Sequence, residues 1–309
     1  MNPEIFLEEK NVIPLIQALM RWATKVNSAS ERKEALENAG IKETFIFNLR
    51  LDTKASQFAQ SLVAAFMRYR FSNQHQDYHP LVKLLQYLIN FAPIYELGDE
   101  DINLFAQLVK KGQENLNALT ACSSVGRVEL PGKAAIGTGV FIGNNWLLTC
   151  NHIFSKIRVE RAYVRFNYTS NSYELDSDVF ELNLSSVQSC SQKDYALVPI
   201  KGELQQQQAT PINGSLNADQ DIRLIHHPKG KHVVISDLGQ IVQVGRDYID
   251  HNINTSEGSS GAPIFDVNWQ LVAIHRGHPG IGTARTLKPG TTSAVPLYSF
   301  WKTIQTHLS

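Results

Sequence analysis

Three short stretches of the chain hold the residue types that nucleophilic hydrolysis requires. Residues 256–266 read SEGSSGAPIFD, with three serines and two glycines ahead of an apolar run. A serine hydroxyl is a poor nucleophile near neutral pH, so it needs an imidazole to take its proton and a carboxylate to hold that imidazole. Of the ten histidines, His152 is the best placed: in WLLTCNHIF it follows an apolar strand pattern, at a strand-to-loop step that can hold a side chain against a cleft. Asp194 directly precedes the apolar run of SQKDYALVPI, where its carboxylate can turn inward to accept from an imidazole. Ser260 lies inside GSSGAP, whose small residues permit a tight turn in which the amides of Gly258 and Ser260 converge on one developing oxyanion. Ser259 then points away.

Competing assignments are weaker. Asp176 and Asp178 are rival carboxylates, but the polar run ELDSDVFELN reads as a solvated face. Cys150 ends an apolar run and reads as a buried packing thiol. The histidines of HHPKGKH invite a metal reading, yet a Pro-Gly turn interrupts them and no second ligand cluster has metal-site spacing, so no metal is expected. The same stretch lacks the strand and glycine-rich helix opening of a phosphate loop.

Positioning these residues falls to two halves of different periodicity. Up to about residue 115, apolar residues recur at helical spacing, as with Phe58, Leu62, Phe66 and Tyr69 in FAQSLVAAFMRY. Ser28 and Glu31 form a capping-box pattern before RKEALENA, and Gly40 stops that helix. Pro80 opens and Pro93 closes the helix around PLVKLLQYLINF, and the acidic GDED precedes INLFAQLVKK with its terminal lysines. Five or six short helices result. Beyond residue 115 come short runs of Val, Ile, Leu, Phe and Tyr separated by turn residues, clearest in TGVFIGNNWLLT, two strands joined through Gly143, Asn144 and Asn145. A helix within PLYSFWKTIQTH closes the chain. The polar KGQENLNALTACSS is the expected boundary, with a helical domain over 1–115 and a strand-rich domain over 122–309; QQQQ at 205–208 reads as a loop.

Bulk composition narrows the classes of function. With 309 residues, 43% of them hydrophobic, the chain can build two cores, and 29 basic against 29 acidic side chains give no pull toward nucleic acid or an acidic membrane. The opening MNPEIFLEEK lacks a signal peptide's pattern, and no apolar stretch reaches the roughly 18 residues of a membrane span, so a cytoplasmic protein is expected. Three cysteines do not make a secreted disulfide framework.

In the order His, Asp, Ser, the stretches LLTCNHIF, KDYALV and GSSGAPIFD resemble the trypsin-like (chymotrypsin-fold) serine peptidases, especially their short bacterial members, over roughly residues 122–300. That resemblance implies two packed six-stranded antiparallel barrels with the site between them, peptide or protein substrates and no cofactor. It makes His152 the general base and acid, Asp194 its orienting carboxylate, Ser260 the nucleophile, and the amides of Gly258 and Ser260 the oxyanion hole. In zymogen-type members an aspartate before the nucleophile binds a newly cut N-terminus; here that residue is Ser259, which implies a site shaped constitutively or switched through the helical half. Thr255 and His275 match positions that bind the acidic side chain in glutamate-specific members, although members with a similar arrangement lack that preference. In the helical half, RKEALENAGI, FAQSLVAAFMRY and HPLVKLLQYL resemble the effector-associated domains of bacterial conflict systems. That likeness implies an adaptor that pairs with a matching helical domain on a second protein, in antiviral defence. The alternative function is a catalytically silent peptide-binding and signalling module on the same fold.

Overall fold

The computed structural model describes residues 7–69, 78–155, 160–169, 178–204, 216–280 and 285–307. Two compact units divide the chain, Asn2–Leu119 and Thr120–Ser309.

In the first unit the described residues form six helices around an apolar core: α1 (Glu9–Ala23), α2 (Ala29–Asn38), α3 (Glu43–Ile46), α4 (Ala55–Arg68), α5 (Pro80–Asn90) and α6 (Asp99–Ser123), which runs on past the unit's end. Leu15, Leu19, Trp22, Leu36, Phe58, Leu62, Leu84, Leu85 and Phe105 are fully buried in one core. The helix ends follow from local chemistry. Ser28 Oγ accepts the Glu31 amide and Glu31 answers on the Ser28 amide, so two otherwise orphaned donors at the start of α2 are satisfied. Gly40 follows α2 in the left-handed region, and Pro80 occupies the first turn of α5. The polar stretch expected to separate the halves is instead helical as far as Ser123. Its few apolar residues explain why: Leu116 packs with Val82, joined by Val109 and Leu119, so one stripe is held although the rest is polar.

The second unit contains two antiparallel sheets. The first comprises β1 (Val125–Glu129), β2 (Ala135–Phe141), β3 (Trp146–Thr149), β4 (Tyr163–Phe166), β5 (Asp178–Glu181), β6 (Gln188–Cys190) and β7 (Tyr195–Pro199), in the spatial order 5-4-1-2-3-7-6. An antiparallel bridge between Leu182 and Ile200 brings the end of β5 back to β7, closing six strands and leaving β6 as an addition. The second comprises β8 (Asp221–His226), β9 (Val234–Ile235), β10 (Gly239–Val244), β11 (Ile249–His251), β12 (Pro263–Asp266), β13 (Leu271–His275) and β14 (Thr292–Pro296). Here β10 pairs with both β11 and β8, so six strands close again, with β9 appended. The expected pair of six-stranded barrels is thus observed, each with one short extra strand. Asn144 and Asn145 take positive φ in the β2–β3 turn, as a tight hairpin demands. The expected C-terminal helix is a single turn, α8 (Trp301–Ile304), between two tighter turns. The 205–208 glutamines and Asp176 lie outside the described residues. Among the described residues no helix is long and apolar enough to cross a membrane.

Candidate active site

Strand register brings the first two residues together. β3 and β7 pair with Thr149 opposite Ala196, so the chain leaving β3 and the chain entering β7 emerge side by side. His152 opens the one-turn helix α7 (His152–Ser155) after β3, and Asp194 immediately precedes β7. Asp194 is fully buried and sits at φ +58, a left-handed conformation that aspartate tolerates better than most residues. Its Oδ1 accepts the His152 amide at 2.9 Å, and its Oδ2 lies 2.8 Å from His152 Nδ1. A carboxylate acceptor at Nδ1 places the ring proton there, which leaves Nε2 as an acceptor. That nitrogen is 2.9 Å from Ser260 Oγ.

Ser260 comes from the second barrel, on the loop ahead of β12. Gly258 (φ +87) and Gly261 (φ +82) flank it in the left-handed region, and neither could carry a side chain. A Cβ on Gly258 would lie 2.6 Å from the His227 carbonyl, and one on Gly261 2.0 Å from Thr149 Oγ1. The carbonyls leading up to Ser260 are engaged: Glu257 accepts from the Lys229 amide (2.6 Å), Gly258 from Thr138 Oγ1 (2.7 Å), Ser259 from the Ala262 amide (3.0 Å) and Ser260 from the Thr138 amide (2.8 Å). The amides of Gly258 and Ser260, by contrast, donate to no group among the described residues. Two free donors therefore flank the hydroxyl that faces His152.

Behind this loop lies a row of buried imidazoles. His251 Nδ1 accepts the Ile253 amide (3.3 Å), so its Nε2 proton points at His275 Nδ1, 3.1 Å away. Burial lowers His251 to about 4 and, with His251 beside it, pushes His275 well below the ordinary imidazole range. Both rings are neutral at physiological pH. His226 Nδ1 lies 2.7 Å from Ser259 Oγ, and burial lowers that histidine to about 4 as well.

The remaining expectations resolve as follows. Thr255 is half-buried on the segment leading to Ser260, while His275 is almost wholly enclosed. Asp178 is on β5 and accepts from Asn167 Nδ2 at 2.7 Å. Cys150 is fully buried and donates to the His275 carbonyl. Its Sγ and donor atoms of His152 and Asp194 all lie within 4.8 Å of one another, but each of the three residues is already hydrogen-bonded. The HHPKGKH histidines diverge: His226 turns to Ser259, His227 Nδ1 to the Lys231 carbonyl, and His232 to the Tyr168 ring.

Sequence reasoning missed three residues here. Thr138 bridges the barrels, taking the His227 amide while giving its proton to the Gly258 carbonyl. His226 is the partner of Ser259. His278 stands with its ring centroid 5.2 Å from that of His152. Its Nδ1 accepts the Gly280 amide, so the proton on Nε2 faces Asp194 Oδ2 at 3.5 Å. A serine in place of aspartate at 259 was the one signal that a different partner had to be sought.

Two closed antiparallel barrels with a histidine and an aspartate from one facing a serine from the other define the trypsin-like peptidase fold. Residues 137–274 match the family model described as a trypsin-like peptidase domain, and residues 9–121 match effector-associated domain 8. The chain is 29% identical over 203 residues to Uncharacterized protein y4fB of Sinorhizobium fredii, an alignment covering 55% of this chain and 29% of that protein. It therefore spans less than a third of that relative's length. Among solved structures it resembles the serine endoprotease from Yersinia pestis, with a TM-score of 0.50 and 18% identity over 63% of this chain and 66% of that one. At that identity the likeness is one of fold.

Proposed function

We propose that the chain is a serine endopeptidase that works through an acyl-enzyme on Ser260. The observation that carries this reading is the unbroken line of short contacts from Asp194 through His152 to Ser260, set beside two unengaged amides. In the proposed reaction His152 Nε2 takes the Ser260 proton as Oγ attacks the scissile carbonyl, and the Gly258 and Ser260 amides hold the oxyanion. Asp194 steadies the imidazolium. His152 then hands its proton to the leaving amine, the C–N bond breaks, and water repeats the sequence to free the acid and restore Ser260. Proton transfer of this kind contributes about 10²- to 10⁴-fold, and each oxyanion donor about 10²- to 10³-fold.

In this reading Thr255 and His275 line the pocket for the side chain at the cut. A neutral His275 whose Nδ1 accepts from His251 keeps its remaining proton on Nε2, on the side of Gly277, which supports an acidic side chain there. The helical unit is the adaptor: it recruits a second protein with a matching helical domain, as effector-associated domains do in bacterial antiviral defence.

An active-site fluorophosphonate tests the chemistry. The full-length chain should be labelled, and Ser260→Ala should lose the label and about 10⁶-fold in kcat. Absence of labelling, alone and with the recruited partner, would favour a silent module that only grips peptides. A peptide library scored on the unlabelled enzyme tests the acidic preference, which fails if cuts after other residues dominate.

A further inference from the structure

We infer that the hydrogen bond between Ser259 and His226 holds the oxyanion amides in place, making these two positioning residues for the reaction. The inference rests on the serine-peptidase reading above. Ser259 is the residue between the two free amides, and its own conformation sets the direction of the Ser260 N–H. It is fixed on every side: its amide donates to the Ser256 carbonyl (3.1 Å), its carbonyl accepts from Ala262, and its Oγ accepts the Ser256 amide (3.3 Å) while giving its proton to His226 Nδ1 (2.7 Å). Ser259 is wholly buried, so water cannot replace the imidazole. Burial keeps His226 neutral, and with Nδ1 unprotonated that nitrogen accepts the Ser259 hydroxyl.

The same imidazole begins the segment that braces the rest of the loop. From residue 226 onward, His227 gives its amide to Thr138 Oγ1, which in turn holds the Gly258 carbonyl, and Lys229 gives its amide to the Glu257 carbonyl. The peptide that bears the Gly258 N–H is the one whose carbonyl Lys229 holds; the peptide that bears the Ser260 N–H is the one whose carbonyl Ala262 holds. Lys229 and Gly230 both adopt positive φ to make that reach. Segments 226–231 and 256–262 are therefore one hydrogen-bonded assembly, and the His226–Ser259 bond is its side-chain link. A site braced in this way has both donors aimed before substrate arrives.

The test uses the full chain on a 4-nitrophenyl ester, with folding verified by circular dichroism. His226→Leu and Ser259→Ala should each lower kcat about 10²-fold, the scale of one lost oxyanion donor, with KM within about threefold. His226→Asn, which can present an oxygen near the Nδ1 position, should recover most of that loss. If His226→Leu fails to fold, Ser259→Ala, which removes one oxygen atom, decides the matter. Folded variants with wild-type kcat, or His226→Asn as impaired as His226→Leu, would overturn the inference while leaving the peptidase reading intact. A wild-type chain inert to both ester and fluorophosphonate would overturn both.

Discussion

The two barrels solve the same problem, polar side chains in a dry environment, with different chemistry. On the first, Arg127, Glu129 and Arg165 are all nearly inaccessible and answer charge with charge: Glu129 receives both guanidiniums, each with a contact of 2.7 Å. On the second, His226, His251 and His275 are equally enclosed, yet burial keeps them uncharged and linked by single hydrogen bonds. The second barrel also holds charge, Arg285 paired with Asp250 and the buried Arg276, but the imidazoles are what lies under the loop that carries Ser260. Strand register explains the first arrangement, because Arg127 stands directly opposite Arg165 across β1 and β4 and needs an anion between them. A loop bearing free amides explains the second. In the proposed reaction a fixed charge in contact with it would compete with a developing oxyanion or attract an anion, whereas neutral rings supply donors and acceptors alone.

The largest expected effect lies in the first barrel. Glu129→Ala leaves two adjacent buried guanidiniums without a counter-charge and should lower unfolding free energy by about 3–5 kcal/mol, read from denaturant midpoints. Replacing all three charged residues by apolar ones of similar volume should cost far less, since desolvation opposes most of the ion-pair energy. A Glu129→Ala chain within about 1 kcal/mol of wild type would show that the charges are not coupled, and the contrast between the barrels would fail.

Acidification should act on the second barrel. A histidine lowered to about 4 in the folded chain but ordinary in the unfolded one favours folding while neutral. Unfolding then takes up protons, and stability falls as pH drops from about 6.5 toward about 4. Each such group contributes a slope of at most about 1.4 kcal/mol per pH unit. His79 of the helical unit and His227, both lowered to about 3, add to the total, so the informative quantity is a difference between variants. His251→Phe should flatten the pH dependence of stability between pH 6 and 4.5 by about one such slope, measured as denaturant midpoints across that range. An unchanged slope would mean that His251 is hydrated and already protonated, and that the second barrel's interior is not neutral.

What could be read in advance follows the range of the interactions. The Ser28–Glu31 box, the Gly40 stop and the Asn144–Asn145 hairpin are settled within a few residues, and the sequence shows them. His152, Asp194 and Ser260 are recognisable because each stands where a strand begins or ends, and the register of β3 with β7 supplies the proximity of the first two. The helical course of residues 111–123 was hidden because its polar surface outweighs the single stripe around Leu116 that Val82 covers. Thr138, His226 and His278 were hidden for a different reason. Each acts across a separation in sequence, 120 residues for Thr138 and Gly258, and neither periodicity nor a turn signal records such a contact.

The smallest expected effect concerns a place where the barrels share a residue's chemistry. Asp194 belongs to the first barrel, and two of its contacts come from His152; the third, His278 Nε2 at 3.5 Å from Oδ2, comes from the second. A proton donor facing Oδ2 shares the oxygen that His152 Nδ1 also uses, so His278 helps hold the carboxylate in register with that ring. Removing it in His278→Ala should therefore lower kcat slightly and leave KM unchanged. The loss of one long polar contact, worth at most about 1 kcal/mol, should change kcat less than about tenfold because both His152 contacts to Asp194 remain. The comparison with His278→Asn, which can still present a side-chain N–H, is the decisive readout: recovery of kcat there separates this contact from loosened packing around His152. A kcat that stays at the wild-type value would mean that Asp194 is held by its own barrel alone, with the second contributing only Ser260 and its neighbouring amides.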